Sequence, residues 1–400
     1  MHEKVNQIKK SKIFNNVFFV GLVSFFGGIS QDIFVPILPL YLANVLNFDK
    51  AFIGFTEGLV TSSSSIFKIL SGFLSDKLKS RKSIVFIGYF LSLLSRPLLA
   101  IITSNFGILF LRFLDGVGKG VKDSPKDALI ADSTEPHNRG KSFGIVRTLD
   151  TLGSVAGPIL LFFLLLLLRN NDLKYHYIFF ITAIPLLFTL AILTIFVRET
   201  DEVKKISRTE TRLKLPSQFY IFLSIVVLFS LGNSSDAFLI LRAQNVGVSL
   251  LAIPLVYALF NFFYASFSIP LGSLSDKIGR EKVILLGWFA YALSYIGFGL
   301  ANQNYQIWIL FSFYGIYYAT TEGVAKAYIA DIISQEFRGR AYGIYNSAVG
   351  LITLPASIIA GFLWDKFNPS APFFFGAALS IFAAICLFLF AFIYKPRIAI

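Results

Sequence analysis

The sequence predicts an all-α polytopic membrane protein with twelve transmembrane helices in two pseudo-symmetric six-helix bundles. Three residue patterns in it occur twice, in the same order, at separations of 204, 200 and 199 residues. The pairs are Gly28 to Asp32 with Gly232 to Asp236, Gly72 to Lys77 with Gly272 to Lys277, and Asp132, Arg139 and Gly144 with Asp331, Arg338 and Gly343. A repeat of this kind in an apolar chain indicates two copies of one membrane bundle.

The composition indicates that most of the chain lies in lipid. Hydrophobic residues make up 55% of the 400 residues and charged residues 15%, and the mean hydropathy is +0.69. Soluble domains carry about 25% charged residues. Twelve apolar stretches are long enough to cross about 30 Å of hydrocarbon at about 1.5 Å per helical residue. They lie near 13–43, 51–75, 84–103, 106–124, 142–168, 177–197, 217–241, 251–274, 283–301, 305–325, 342–364 and 372–394.

The first six spans form an N-terminal bundle at 1–197 and the last six a C-terminal bundle at 217–400, joined by a polar linker at 198–216. Lys and Arg crowd alternate loops, with 26 on the side of the termini and 4 on the other. Because cytoplasmic loops are enriched in these residues, both termini are expected in the cytoplasm. The net charge of +13 therefore orients the chain in the membrane and does not indicate a nucleic-acid partner.

The sequence lacks the residues that an enzyme or a metal site needs. A single cysteine, Cys386, excludes an intrachain disulfide, and the three His are scattered along the tail and loops. Gly118-Lys119 resembles the end of a phosphate-binding loop, but Gly120 stands where Ser or Thr is required. The first apolar run reaches spanning length without a cleavage site, so no signal peptide is expected. We predict no enzymatic activity, no cofactor and no metal.

Charged residues inside the predicted spans are the candidates for function. Each costs about 2.5–3.5 kcal/mol near the centre of a bilayer and should face the bundle interior. Asp32 and Asp236 occupy equivalent points of spans 1 and 7, and each follows a Gly and a Ser. Such an acid could carry a proton or hold a cationic substrate. Alternatively, Asp32 could be paired permanently with Arg96 or Arg112 to fix helix packing.

Other polar groups could line a central cavity with these acids. Glu57 and Arg112 are predicted to share a polar layer with Asp32 in the first copy and to take part in proton coupling. Glu322 and Lys326 stand four residues apart on span 10, a spacing that also favours a simple helix ion pair. The predicted cavity group comprises Asp32, Arg112, Asn233, Asp236, Tyr257, Asn261, Tyr264, Glu322, Lys326 and Asn346.

Two loops resemble the signature of the major facilitator superfamily between spans 2 and 3 and between spans 8 and 9. The second loop carries Gly272, Asp276 and Arg280, and the first carries Gly72, Asp76 and Arg81 with one extra residue. In that family these loops act as gate latches on the cytoplasmic side. The resemblance implies this role for the six residues, and the repeated Asp132, Arg139, Asp331 and Arg338, which follow spans 4 and 10, are expected to form gating loops as well.

The family resemblance extends to spans 4 and 5. Arg112, Gly116 and Gly118 look like its span 4 signature, whose Arg is linked to proton transfer in antiporters. Gly144, Gly153, Gly157 and Pro158 match the span 5 signature of drug and metabolite exporters, where small residues let helices pack closely. Ordinary helix packing is the alternative interpretation of these four residues, since Gly and Pro are frequent in membrane helices.

The resemblance, which reaches a poorly characterised prokaryotic branch of permeases, implies a monomeric secondary transporter of a bacterial cytoplasmic membrane. Its expected partners are protons, a small-molecule substrate and the lipid bilayer. The expected activity is proton-coupled efflux of a small amphiphile or metabolite by alternating access. The alternatives are a proton-coupled symporter that imports a nutrient and a membrane sensor or scaffold that transports nothing.

Overall fold

All secondary structure in the computed structural model is helical within the residues that it describes. These are residues 2–78, 80–134, 138–199, 215–334 and 337–393, and the side chains of residues 2–15 and of Asp76 lie outside the description. The helices are α1 (His2–Asn44), α2 (Lys50–Leu78), α3 (Arg81–Leu98), α4 (Asn105–Asp132), α5 (Arg139–Leu167), α6 (Lys174–Ile181), α7 (Ala183–Ile195), α8 (Ser217–Gly232), α9 (Ala237–Asn245), α10 (Ile253–Ile278), α11 (Arg280–Leu300), α12 (Asn304–Ile332), α13 (Arg338–Lys366) and α14 (Ala371–Ile393).

The fourteen helices correspond to the twelve predicted spans because two spans are interrupted. Span 6 consists of α6 and α7, which meet at Thr182, and span 7 consists of α8 and α9, separated by residues 233–236. Each of the other spans is one helix. The prediction of an all-α protein with twelve spans is confirmed, whereas the two interruptions were not predicted.

Eight of the described segments are long and apolar enough to cross a membrane by length and composition. They correspond to α1, α5, α6 with α7, α8 with α9, α10, α11, α13 and α14. The other four long helices, α2, α3, α4 and α12, hold several charged side chains, namely Glu57, Arg96, Arg112, Asp115 and Glu322. A helix with such charges is stable in a bilayer only when it presents them to protein or water.

The helices cluster into two compact units. The described residues of unit 1 fall in 2–38 and 63–199, and those of unit 2 fall in 39–62 and 215–393. Residues 39–62, which the sequence division assigned to the N-terminal bundle, therefore cluster with unit 2. In unit 1, a hydrophobic core forms from buried side chains of α1, α3, α4, α5 and α7.

Aromatic side chains dominate the interior of unit 2. The ring of Phe229 on α8 stacks on Trp288 of α11 with centroids 4.6 Å apart, and Tyr291 stacks on Tyr295 at 4.0 Å. Helix α11 packs against both α12 and α14, and α10 packs against α12. Aromatic pairs at these separations stabilise a core beyond the area that they bury.

Within unit 2, the first half of α2 lies directly against α13. A Cβ atom on Gly54 would lie 2.1 Å from the carbonyl oxygen of Ser357, and one on Gly361 would lie 2.3 Å from the carbonyl oxygen of Lys50. The hydroxyl of Ser62 donates a hydrogen bond of 2.9 Å to the carbonyl of Gly350. Small residues thus let the two backbones touch, as is common between membrane helices.

Replacing Gly54 with Ala should lower stability, because the added methyl group meets a backbone oxygen that cannot turn away. Overpacking of this kind costs about 1–3 kcal/mol. A lower midpoint of thermal unfolding in detergent would show the effect. Gly144→Ala is the matched control, since no described atom lies within 4 Å of a Cβ there. The control should be neutral or stabilising by less than about 1 kcal/mol, and equal midpoints for the two variants would contradict the close α2–α13 contact.

Candidate functional site

Unit 1 contains a buried cluster of three cations around one carboxylate, Asp115 on α4. Its side chain is fully buried and pairs with Arg96 at 3.3 Å, Arg112 at 3.4 Å and Lys119 at 3.3 Å. Arg112 and Lys119 stand three residues before and four after Asp115, so one face of α4 supplies three of the four charges. The guanidinium groups of Arg96 and Arg112 also lie over the ring of Phe34, at 5.3 and 5.4 Å.

Arg96 connects this cluster to the interruption in span 6. Its guanidinium donates hydrogen bonds of 2.6 Å to the hydroxyl of Ser30 and to the side-chain oxygen of Gln31. The hydroxyl of Ser30 in turn donates to the carbonyl oxygen of Thr182 at 2.7 Å, where α6 ends. Ser30 thereby satisfies a backbone acceptor that the interrupted helix leaves open.

Asp32 is buried next to this cluster without belonging to it. Its carboxylate accepts a hydrogen bond from Ser154 of α5, and Arg96 and Lys119 are near enough to interact with it electrostatically. Among the described residues, no Lys or Arg nitrogen lies within ion-pair distance of Asp32, since Arg96 and Arg112 pair with Asp115 instead. The permanent Asp32–Arg pair that the sequence left open is therefore not found. Glu57, expected beside Asp32, belongs to unit 2.

In unit 2, Asp236 lies at the interruption between α8 and α9, surrounded by tyrosines. Its carboxylate accepts a hydrogen bond of 2.7 Å from Tyr314 and contacts the hydroxyl of Tyr318 at 3.5 Å. Glu57 is close enough to interact electrostatically with it. Asn233, three residues earlier, donates to the hydroxyl of Tyr317 at 3.0 Å. Backbone and polar side chains at an interrupted membrane helix commonly form binding sites.

The remaining predicted cavity residues lie on three helices of unit 2. Tyr257 and Asn261 are buried on α10, and one turn further Tyr264 donates a hydrogen bond of 2.5 Å to Glu322 on α12. Glu322 also pairs with Lys326 at 3.6 Å, as the i, i+4 spacing allows, and both side chains are exposed. Asn346 is half-buried on α13.

The repeated charges next to the loops pair within each copy. Arg81 of α3 pairs with Asp132 at the end of α4, and Arg280 of α11 pairs with Asp331 of α12 at 3.2 Å. Both partners in the second copy stand 199 residues after those in the first. Arg280 also pairs with Asp276 at 2.5 Å. The duplication of the sequence is thus matched by a duplicated ion pair.

The other predicted loop residues take different places. Arg338 donates to the carbonyl oxygens of Ala330 at 2.9 Å and Ile333 at 3.3 Å, whereas Arg139 is exposed. A Cβ on Gly72 would meet the Ser124 hydroxyl at 2.9 Å, and one on Gly272 would meet no described atom within 4 Å. The side chain of Asp76, predicted as a latch, lies outside the described part of the chain.

The predicted glycines of span 5 divide into two groups. Cβ atoms on Gly153 and Gly157 would lie 2.3 and 2.9 Å from the carbonyl oxygens of Phe25 and Ile29, so both glycines bring α5 against α1. Gly144 has no described atom within 4 Å of its Cβ position and does not serve this contact. Pro158 lies inside α5, directly after Gly157. The close α1–α5 contact places Ser154 beside Asp32.

Comparison with known proteins decides the family. The sequence profile of the Major Facilitator Superfamily matches residues 20–241 and again residues 220–399. The chain belongs to the Major Facilitator Superfamily. It is accordingly a multi-pass membrane protein built for the transport of small molecules, and two matches to one profile agree with the duplication seen in the sequence.

Relatives support this assignment across most of the chain. An uncharacterized MFS-type transporter of Methanocaldococcus jannaschii is 36% identical over 392 residues, which cover 96% of each protein. The multi-drug resistance efflux pump PmrA of Streptococcus pneumoniae is 25% identical over 309 residues, covering 73% of this chain and 75% of the pump. The tetracycline resistance protein, class B, of Escherichia coli is 22% identical and covers 91% of this chain and 92% of its own.

Solved structures of superfamily members share the fold. A point mutant of the nucleoside transporter NupG matches 94% of this chain and 100% of its own, with a TM-score of 0.79 and 13% identity. The xylose transporter XylE of E. coli, in an inward-open conformation, matches 94% of this chain and 96% of its own with a TM-score of 0.74 and 17% identity. At these identities the likeness shows the superfamily fold alone.

Several residues of this superfamily member were missed or under-weighted by sequence reasoning. The coupling and cavity residues predicted from the sequence omit Asp115, although the spacing of Arg112 and Lys119 around it marks a cluster on one helix face. Tyr314 and Tyr318 were not selected, yet they are four residues apart and hence on one face of α12. Arg242 is likewise absent from the predicted residues, and it donates to the carbonyl oxygens of Phe298, Gly299 and Ala301, which gives it a structural role.

Proposed function

We propose that this protein is a proton-coupled exporter of a small amphiphile or metabolite, in which Asp32 carries the coupling proton. The observation that carries the proposal is the position of Asp32, which is buried near Arg96 and Lys119, whereas no ion pair to Asp32 is found among the described residues. A carboxyl group in this position can gain or lose a proton without breaking an ion pair. Its charge would then change beside fixed charges, in surroundings of low dielectric.

The cluster around Asp115 supports the same proposal. Three cations pair with one carboxylate there, and two of them, Arg96 and Lys119, also act electrostatically on Asp32. A deprotonated Asp32 adds a negative charge next to them and a protonated Asp32 does not, so the balance of charge at this point of unit 1 depends on the proton. Such a dependence can bias a transporter between two conformations.

The direction of transport is proposed from different observations. The named functions of PmrA and of the tetracycline resistance protein are efflux and drug resistance, and both relatives align over most of this chain. The span 5 glycines Gly153 and Gly157 resemble the exporter signature and pack α5 on α1 at Asp32. We place both termini in the cytoplasm, on the side with most Lys and Arg.

Reconstituted vesicles can test coupling and direction together, since a reversible transporter responds to the gradient in either orientation. An exchanger takes up external probe when the vesicle interior is acidic, and a symporter does so when the exterior is acidic. We expect an acidic interior to drive accumulation of ethidium or a sulfonated pyrene, neither of which is a weak base that acid can trap. Uridine and xylose serve as nutrient probes, and vesicles without protein give the background.

Accumulation driven only by an acidic exterior would overturn the export proposal and favour import of a nutrient. If neither gradient moves any probe above background, the proposed coupling is contradicted for these solutes. A sensor or scaffold would give that second result for every solute. The two gradients thus separate the three functions that the sequence left open.

A further inference from the structure

The surroundings of Asp236 suit a positively charged ligand. Among the described residues, its carboxylate accepts hydrogen bonds from the tyrosine hydroxyls of Tyr314 at 2.7 Å and Tyr318 at 3.5 Å. The remaining charged neighbour that acts on it is another acid, Glu57. Among the described residues, no Lys or Arg forms an ion pair with Asp236. A half-buried carboxylate without a neighbouring cation can take the cationic group of a ligand as its partner.

The two copies of the bundle differ in the charges around the repeated acid, Asp32 in the first copy and Asp236 in the second. An offset of 199 residues relates Gly116 to Gly315 and Asp132 to Asp331, so it aligns α4 with α12 and α3 with α11. The charged cluster of unit 1 consists of Arg96, Arg112, Asp115 and Lys119, and the equivalent residues of unit 2 are Tyr295, Phe311, Tyr314 and Tyr318. The second copy thus has Asp236 where the first has Asp32, but aromatic residues stand in place of all three cations.

Two of these tyrosines form an aromatic shell beside Asp236 together with two rings of α10. The aromatic shell consists of Tyr314 and Tyr318 of α12 and Phe260 and Tyr264 of α10. Tyr314 and Tyr318 have ring centroids 5.3 Å apart, and the ring of Phe260 lies 5.5 Å from the first and 5.3 Å from the second. Tyr264 lies 5.8 Å from Tyr318. The face of an aromatic ring attracts ammonium groups, and several rings together form the known cages for quaternary ammonium ligands.

A second polar group at the interrupted helix has an unused acceptor. The side-chain oxygen of Asn233 is buried and accepts no hydrogen bond from a described residue, while its amide nitrogen donates to Tyr317 at 3.0 Å. Asp236 and Tyr318 are only half-buried, so a ligand can reach them. Carboxylate, amide oxygen and ring faces all present negative charge density at this point of the fold.

We propose that Asp236 and the aromatic shell of α10 and α12 bind the ammonium group of an organic cation, whose apolar part packs on the neighbouring rings. Identifying this cation as the transported substrate rests on the proposed transport function. The site itself is defined by residues of unit 2 and does not require Asp32.

Three ligands that share an indole ring and differ in charge test the proposal on the wild-type protein. They are an indole with a trimethylammonium-ethyl side chain, its neutral 3,3-dimethylbutyl isostere and indole-3-propionate. Calorimetry on purified protein in detergent should show binding of the ammonium compound about tenfold or more tighter than the other two, which is about 1.4 kcal/mol. Equal affinity for all three, or preference for the anion, would overturn the proposal without any mutant.

Variants then locate the site. Asp236→Asn and Tyr318→Ala should each weaken binding of the ammonium compound about tenfold, and Asp236→Glu should retain part of the affinity. Asp172→Asn, an exposed loop carboxylate in unit 1, is the charge-matched control and should bind as wild type does. Unchanged affinity in Asp236→Asn would overturn the assignment. Binding is also compared in sodium chloride and in potassium chloride at equal ionic strength, and competition by sodium alone would indicate an inorganic cation site and overturn the proposal.

The binding measurement uses no pH gradient, so the cation site and the transport proposal can be contradicted separately. If the ammonium compound binds through Asp236 but an acidic interior drives no uptake, the export proposal is lost and the cation site stands. If an acidic interior drives uptake of the sulfonated pyrene while the ammonium compound does not bind, the transport proposal stands and the cation site is lost.

Discussion

Replacing Asp32 with Asn should abolish uptake of ethidium driven by an acidic vesicle interior, reducing it to the level of vesicles without protein. Asn keeps the shape of the side chain and can still bond with Ser154, but it cannot carry a proton. Exchange of labelled for unlabelled ethidium across the membrane, without a pH gradient, needs no net proton movement. We expect this exchange to survive in Asp32→Asn.

The pair of readouts separates a coupling residue from a structural one. A structural defect would reduce gradient-driven uptake and exchange together, whereas loss of coupling reduces the first alone. Asp172→Asn, exposed in the loop before α6, should behave as wild type in both assays. Full gradient-driven uptake by Asp32→Asn would show that the coupling proton is carried elsewhere.

Replacing Asp115 with Asn should be the most destabilising of the carboxylate substitutions. It removes the carboxylate that pairs with Arg96, Arg112 and Lys119, and both arginine side chains are only 2% exposed. Breaking a buried ion pair from one side costs about 3–5 kcal/mol because the remaining charge stays buried. A markedly lower midpoint of thermal unfolding in detergent should result.

A second Arg–Asp pair in the same chain provides the control. Arg147 and Asp150 have the same i, i+3 spacing and the same separation of 3.4 Å as Arg112 and Asp115, but their side chains are 59% and 33% exposed. Neutralising Asp150 leaves no fully buried charge behind, so Asp150→Asn should lower the midpoint far less. Similar shifts in Asp115→Asn and Asp150→Asn would contradict the role of burial.

The fold could be predicted from the sequence because its signals depend on composition and repetition. Span length and hydropathy are fixed by the thickness of the hydrocarbon layer, and the repeated Gly, Asp and Arg positions relate the two copies at an offset near half the chain. The i, i+4 pair of Glu322 and Lys326 is likewise a local property of one helix, and the structure contains it.

The candidate site was less predictable because partners on different helices depend on rotation and depth. Arg96 and Arg112 were considered as partners of Asp32, but α3 presents Arg96 to Asp115, and Arg112 pairs with Asp115 three residues further along α4. The interruption after Gly232 has no Pro to mark it, and its equivalent in the first copy, around Asp32, is continuous helix. Hydropathy does not distinguish the interrupted span 7 from the continuous span 1. The tyrosines that replace the charged cluster, in contrast, can be found in the sequence by aligning α4 with α12.

The central claim, that Asp32 exchanges a proton, can be measured without knowing the substrate. Infrared difference spectra of the protein in lipid, recorded between mildly acidic and mildly alkaline pH, report protonated carboxyl groups directly. We expect wild type and Asp172→Asn to show a carboxyl band that disappears at alkaline pH, and we expect Asp32→Asn to lack a component of that band. A wild-type spectrum without the band, or an unchanged band in Asp32→Asn, would contradict the account.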